Sequence, residues 1–230
     1  MAIRAVVTDI EGTTTSVSFV YDVLFPYARE HIPNYVRANA DALADLLDDV
    51  RKEEGDPSLT LDGCIAALLR WMDEDRKVTP LKTVQGMVWK QGYEDGGSRG
   101  HLYADVAASL RRWKGEGLTL CVYSSGSVAA QKLLFGHSEA GDLTPLFSGW
   151  FDTLVGGKKD PASYVRIAAA IGLAPSELLF LSDNPDELAA ASQAGLSVIG
   201  LDRPGNSFDL AGWPVAASFD QIDPAAMSCA

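Results

Sequence analysis

The chain has 230 residues, enough for one large domain or for a core domain with a smaller one inserted in it, and 47% hydrophobic with 22% charged residues is the balance of a soluble globular enzyme, not of a disordered chain. The formal net charge is −12, without an acidic tail and without any basic run such as a nucleic-acid groove needs, so nucleic acid and anionic membrane are not expected partners. A small phosphorylated substrate is repelled at long range too, so a phosphate site here must be made attractive locally, by a cation, a lysine and backbone N–H groups.

Residues 3–8 are apolar and β-branched, short enough for a buried parallel strand and too short for a signal peptide. No later run approaches transmembrane length, and the cytoplasm is the expected compartment. From about residue 18 to 100 the pattern is helical only, over 20–35, 40–54, 61–76 and 81–93, with Gly55-Asp56-Pro57 and Gly96-Gly97 as punctuation. Ala42, Leu43, Leu46, Leu47 and Val50 fall on one helical face, as amphipathic helices that pack together require. This segment reads as a helical domain inserted after the first strand, giving a core of residues 1–17 and 101–230 and a cap of 18–100. Trp71, Trp89, Phe25 and Tyr27 read as its core, whereas Phe19 and Tyr21, just after the first strand's loop, are candidates to face a substrate.

Beyond the insert, apolar runs at 118–123, 151–155, 178–182 and 197–201 read as further buried strands. Helical patterns lie between them at 128–135, 161–171 and 185–194. Pro161 and Pro185 sit where a first helical turn tolerates a missing N–H, and Gly172 and Gly195 where helices end. Strand, helix and strand at this cadence predict an α/β fold, a doubly wound parallel sheet. Cys64, Cys121 and Cys229 are odd in number and widely spaced, which argues against disulfides and zinc; the first two read as small buried hydrophobes. His31, His101 and His137 have no ligand spacing.

In an open α/β sheet ligands bind beyond the carboxyl ends of the strands. The first strand ends Thr8-Asp9-Ile10-Glu11-Gly12-Thr13-Thr14, and two carboxylates two residues apart imply a metal, a perturbed pKa, or both. The second ends Tyr123-Ser124-Ser125-Gly126-Ser127, hydroxyls and N–H groups that suit an anion and equally suit a helix cap. After the third come Gly156-Gly157-Lys158-Lys159, where either lysine can reach a phosphate or simply meet solvent. The fourth ends in Asp183-Asn184-Pro185-Asp186-Glu187; Asp183 suits a metal, and Asp186 and Glu187 suit the helix dipole. Nucleophile, hydroxyls, cation and metal ligand in that order map onto phosphoryl transfer.

An acidic pair, a Ser, a Lys and an Asp after successive strands resemble the haloacid dehalogenase superfamily of phosphohydrolases. Glu as the second acid of Asp9-Ile10-Glu11-Gly12-Thr13-Thr14 is similar to the acireductone synthases, the enolase-phosphatases of methionine salvage. Val23-Leu24-Phe25-Pro26-Tyr27, Gln85-Gly86, the run from Ser124 through Gln131 to His137-Ser138, Phe180-Leu181-Ser182-Asp183 and Arg203-Pro204-Gly205-Asn206 carry the same likeness. Asn184-Pro185-Asp186 departs from it. The resemblance implies one Mg²⁺ per chain on Asp9, Asp183 and the backbone carbonyl of Glu11. It implies Asp9 as nucleophile, Glu11 as acid and base, Ser124 and Ser125 on the phosphate and, by the Gly-x-Lys pattern, Lys158 as catalytic and phosphate-binding cation. The implied reaction turns 2,3-diketo-5-methylthiopentyl-1-phosphate into an acireductone and phosphate, with Glu11 or Lys158 as shuttles for the enolisation. Rival readings are another phosphatase of the superfamily, or a regulatory domain that only binds metal and phosphate. No exposed heptad or apolar stripe demands a partner chain, so a monomer is expected.

Overall fold

The structure, a computed structural model, describes residues 2–97 and 99–227, so Cys229 lies outside the described residues. In chain order the elements are β1 (Ala5–Thr8), a helical turn α1 (Val17–Phe19), a π-helix (Val20–Leu24), α2 (Phe25–Ala38), α3 (Ala44–Glu54), α4 (Leu61–Asp73), α5 (Thr79–Glu94), α6 (Val106–Gly115), β2 (Thr119–Tyr123), α7 (Val128–Gly136), β3 (Phe147–Phe151), α8 (Pro161–Ile171), β4 (Leu178–Ser182), α9 (Pro185–Gln193), β5 (Ser197–Leu201) and β6 (Val215–Ala216). They group into two compact units, Met1–Phe19 with Arg99–Ala230, and Val20–Ser98.

The first unit is built on one parallel sheet in the order β3-β2-β1-β4-β5-β6. Its central strands β1 and β4 are buried at every position and apolar up to their last residues, Thr8 and Ser182, as strands covered on both faces must be. Side chains alternate across the sheet, so Ala5, Val7, Cys121, Tyr123, Leu178 and Phe180 share one face. Tyr164, Ile167 and Ala168 of α8 and Leu188, Ala190 and Ala191 of α9 cover it. Burying one such aliphatic or aromatic side chain stabilises the fold by roughly 1.5–3 kcal/mol. The strand order reverses direction at β1, with β2 and β3 to one side and β4 and β5 to the other, which opens a crevice at the carboxyl ends.

Two elements escape the apolar pattern and one lies ahead of it. The third strand, expected over 151–155, runs Phe147–Phe151. Gly149 interrupts its apolar pattern, and a Cβ there would stand 2.8 Å from Cys121 Sγ. Asp152 then turns the chain, accepting from the N–H of Leu154 at 2.9 Å and of Val128 at 3.1 Å. Helix α6 was not anticipated, although Val106, Ala107, Leu110 and Trp113 give it a buried helical stripe. The two-residue β6 is too short to register in any periodicity.

The second unit holds α2 to α5 around Ile32, Val36, Leu47, Val50, Leu68, Trp71, Val84 and Val88. Its boundaries follow local chemistry. Helix α3 stops at Gly55, left-handed at φ +70°, and α4 is capped by Thr60, whose hydroxyl accepts the N–H of Gly63 at 3.1 Å. Leu43, Leu47 and Val50 are buried, whereas Ala42 is exposed and outside the stripe. Trp71 is fully buried with Nε1 donating to Glu54 Oε1 at 2.7 Å, and Trp89 Nε1 donates to the Leu24 carbonyl at 2.8 Å. Tyr21 is exposed. No helix among the described residues is long and apolar enough to cross a membrane.

Candidate active site

The loop after β1 is held by its own backbone. The N–H of Asp9 donates to the carbonyl of Leu181 on β4 at 2.9 Å, and the carbonyl of Ile10 accepts from Thr13, Thr14 and Thr15 at 3.1, 2.9 and 3.0 Å. Gly12 is left-handed at φ +73°, and a Cβ there would stand 2.0 Å from Asp183 Oδ2. Glycine therefore lets the β4 carboxylate close on the β1 loop. From beyond β5, buried Arg203 donates through Nε to the Thr13 carbonyl at 3.0 Å, and its other nitrogens fork onto Asp105 at 2.9 and 2.8 Å.

Asp9, Lys158, Asp183 and Glu187 are all buried. Lys158 Nζ lies 2.5 Å from Asp9 Oδ1 and 2.7 Å from Glu187 Oε2, and the Ser182 hydroxyl donates to that same Glu187 oxygen at 2.8 Å. Glu187 is thus more than the helix-dipole residue its place in the first turn of α9 suggests. Its neighbour Asp186 stays on the surface and pairs with Lys159 at 2.7 Å, which separates the two lysines: Lys158 turns inward, Lys159 outward. The Ser124 hydroxyl donates to Glu11 Oε2 at 3.2 Å and accepts the N–H of Gly126 at 3.1 Å. Ser127 caps α7, accepting from Ala130 at 3.3 Å, and Ser125 is exposed on the same loop.

Burial pushes the Asp9 carboxyl well above the ordinary carboxylate range; Lys158 opposes this, while Glu187, Glu11 and Asp183 add to it. Burial, then Glu187, raises Asp183 to about 6. For Lys158 burial works downward, and the fields and hydrogen bonds of Asp9 and Glu187 outweigh it, so the ammonium is held well above its ordinary value.

Four carboxyl groups, Asp9, Glu11, Asp183 and Glu187, thus share the site with one ammonium. Among the described residues no three His, Cys, Asp or Glu side chains are grouped to hold a metal unaided. Two buried carboxylates beside a loop rich in main-chain carbonyls are nonetheless a hard-oxygen donor set with excess negative charge, which fits a divalent cation of the Mg²⁺ or Ca²⁺ type. Two histidines have partners of their own: His31 Nδ1 is 2.9 Å from the Tyr27 carbonyl, and His101 Nδ1 is 2.9 Å from Thr15 Oγ1. Phe19 is buried, its ring 5.8 Å from that of His101.

The fold brings Asp9, Glu11, Ser124, Lys158 and Asp183 to this edge, and adds to them Glu187 and the grip of Arg203 on the loop, neither of which the sequence pattern singles out for the site. A second acid four residues after Asp183 was the available signal for Glu187, and Arg203 stood in a singled-out run without a role.

A family profile for haloacid dehalogenase-like hydrolases matches residues 3–195. The chain is 57% identical over 228 residues to a protein of Azotobacter vinelandii named Enolase-phosphatase E1, covering 98% of this chain and 100% of that one. A protein of the same name from Pseudomonas aeruginosa is 57% identical over 224 residues, covering 96% and 99%. The crystal structure of the UTR4 protein of Saccharomyces cerevisiae superposes with a TM-score of 0.84 at 34% identity, covering 96% of this chain and 100% of that one. CbbY from Rhodobacter sphaeroides, crystallised in complex with phosphate, shares the fold at a TM-score of 0.61 and 18% identity, covering 95% and 96%.

Proposed function

As the chain belongs to the haloacid dehalogenase-like hydrolase family and, within it, stands with the enolase-phosphatases, we infer that it is a bifunctional enolase-phosphatase acting on 2,3-diketo-5-methylthiopentyl-1-phosphate in methionine salvage. The products are an acireductone, 1,2-dihydroxy-3-keto-5-methylthiopentene, and phosphate. The observation that carries the mechanism is the buried contact of Lys158 with Asp9, beside Asp183 and Glu11.

In this reading Asp9 is the nucleophile. One carboxylate oxygen forms a bond to phosphorus while the ester P–O bond breaks, giving an aspartyl phosphate. Glu11 protonates the departing oxygen, then takes a proton from the water that attacks phosphorus and frees Asp9. Ser124 and the N–H groups near Ser125 hold the phosphate oxygens, and Lys158 neutralises a further charge. Asp9, Asp183 and the Glu11 carbonyl would hold one divalent cation, magnesium in our reading, which would supply charge to offset the repulsion between nucleophile and phosphate and to polarise the diketone. Lys158, held protonated by Asp9 and Glu187, is a poor base. That leaves Glu11 to move the proton in the enolisation. A small phosphorylated substrate, a monomeric chain and a cytoplasmic setting complete the reading.

The test follows enol absorbance and free phosphate together after the diketone phosphate and Mg²⁺ are mixed with the protein. Both signals are expected; phosphate without enol would reduce the activity to a simple phosphatase. Asp9→Asn is expected to keep the fold and lose about 10³-fold or more in turnover, roughly 4 kcal/mol of barrier. Phosphate release near the wild-type rate would remove Asp9 from the chemistry.

A further inference from the structure

Three successive carbonyls of the loop that carries Lys158 are each held by a different hydroxyl. Tyr123 Oη donates to the Gly156 carbonyl at 2.9 Å, Ser163 Oγ to the Gly157 carbonyl at 2.9 Å, and Tyr164 Oη to the Lys158 carbonyl at 2.6 Å. We propose that Tyr164, together with Tyr123 and Ser163, positions Lys158 for catalysis by fixing the backbone from which its ammonium reaches Asp9. The proposal rests on the reading of Lys158 as the phosphate-binding cation.

The loop's other holds lie on its flanks and in its own turns: the Gly156 N–H donates to the Thr153 carbonyl at 3.2 Å, the Asp160 N–H to the Gly157 carbonyl at 3.0 Å, and Arg166 reaches the Val155 carbonyl, while among the described residues only Tyr164 holds the carbonyl of Lys158 itself. Gly156 and Gly157 bring no side chains to pack, and Lys158 has a flexible four-carbon stem ending in a group that water solvates strongly. Left to itself such a lysine relaxes outward, as Lys159 next to it does, 65% exposed at its side chain. Lys158 instead is 7% exposed and spans two carboxylates. Keeping a buried ammonium at that spot demands a backbone fixed to a fraction of an ångström.

The three hydroxyls come from rigid elements. Tyr123 ends β2, Ser163 and Tyr164 lie in the first turns of α8, and all three residues are fully buried. The Tyr123 and Tyr164 rings meet edge to face at 5.5 Å, and Tyr164 packs on Phe180 of β4 at 5.0 Å. Gly156 fits the same purpose: it sits at φ +137°, and a Cβ there would stand 2.2 Å from Ser163 Oγ. Any larger residue would push the serine hydroxyl off the loop. Burial, reinforced by Glu187, raises the Tyr164 phenol, so it remains a donor at every working pH. A tyrosine present only to fill the core needs no such bond, because phenylalanine fills the same volume.

The test is a double-mutant cycle on Mg²⁺-dependent hydrolysis of an aryl phosphate by the full chain, using wild type, Tyr164→Phe, Lys158→Ala and the pair, with thermal midpoints measured alongside. Tyr164→Phe is expected to lower kcat about tenfold, the scale of one lost buried hydrogen bond acting in the transition state, and to lower it no further once Lys158 is alanine. Acylation of the Lys158 amine, read by peptide mass, is expected to quicken in Tyr164→Phe. Wild-type turnover in Tyr164→Phe, or the same fractional loss in both backgrounds, would overturn the proposal. Wild-type turnover in Lys158→Ala would overturn the reading of Lys158 beneath it, a distinct result. If Tyr164→Phe does not fold, Ser163→Ala is carried through the same cycle with the same expectations.

Discussion

Two neighbouring acids in the first turn of α9 have different physical fates, and that difference is measurable. Asp186 forms an exposed pair with Lys159, and such pairs contribute about 0–1 kcal/mol. Glu187 is buried against Lys158 and Ser182, where losing one partner leaves an ammonium short of compensating charge. Asp186→Asn is therefore expected to leave turnover and melting temperature unchanged, whereas Glu187→Gln lowers turnover by about tenfold or more. Equal effects at both positions in a steady-state assay would count against the distinction. Asp183 gives the pH dependence. Its folded pKa of about 6 lies above the ordinary 3.8, so between those values the native state holds more protons than the unfolded chain. Its contribution to stability is greatest below pH 4, falls through the interval and levels off above 6, a loss on the order of 3 kcal/mol. Asp9 shifts in the same direction. Divalent cations compete with these protons, so the rise in melting temperature that Mg²⁺ produces is expected to grow with pH up to about 6 and then flatten. Melts with Mg²⁺ or a chelator across that range check it, and Asp183→Asn removes most of the slope.

At the scale of elements, local signals were read well where they were purely local. β4 is apolar over Leu178 to Leu181 and β5 carries Val198, Ile199 and Leu201 between turn residues, and Pro161 and Pro185 open α8 and α9 as expected. β3 begins four residues before the apolar run at 151–155 because its Ser148-Gly149 centre interrupts the apolar pattern, and its half-exposed residues follow no strict alternation. Which acid of Asp186 and Glu187, and which lysine of Lys158 and Lys159, turns inward depends on α8, α9 and the glycine loop meeting in space. No sequence period encodes that meeting. The end of α4 shows a local choice that is less than optimal. Asp75 is left-handed at φ +50°, with its N–H on the Met72 carbonyl at 3.2 Å and that of Arg76 on the Trp71 carbonyl at 2.9 Å. This is the closure that Gly55 provides for α3 without a Cβ penalty. Asp75→Gly is expected to stabilise the protein by up to about 1 kcal/mol, because relieving the left-handed strain outweighs the exposed pair with Lys77. Thermal denaturation decides it, and a lower midpoint would mean that the Lys77 pair matters more than the backbone.

Over the whole molecule, the net charge of −12 sets how an anionic substrate arrives. The one buried ammonium of the site, Lys158, is compensated by Asp9 and Glu187 at 2.5 and 2.7 Å, so little positive potential escapes from it into solvent. Attraction is felt only over the last few ångströms, through hydroxyls, N–H groups and the bound cation, while repulsion by the rest of the chain extends over a Debye length. That length falls from about 30 Å at 0.01 M ionic strength to about 8 Å at 0.15 M. Added salt should therefore screen the repulsion more than the attraction. With free Mg²⁺ held saturating, kcat/KM for a phosphate ester is expected to rise about two- to threefold over that range, the reverse of an electrostatically steered enzyme, while kcat stays constant. Initial rates at substrate concentrations well below KM measure this directly. A fall in kcat/KM with salt would instead mean that the carboxyl edge of the sheet projects a positive field strong enough to overcome the charge of the whole chain.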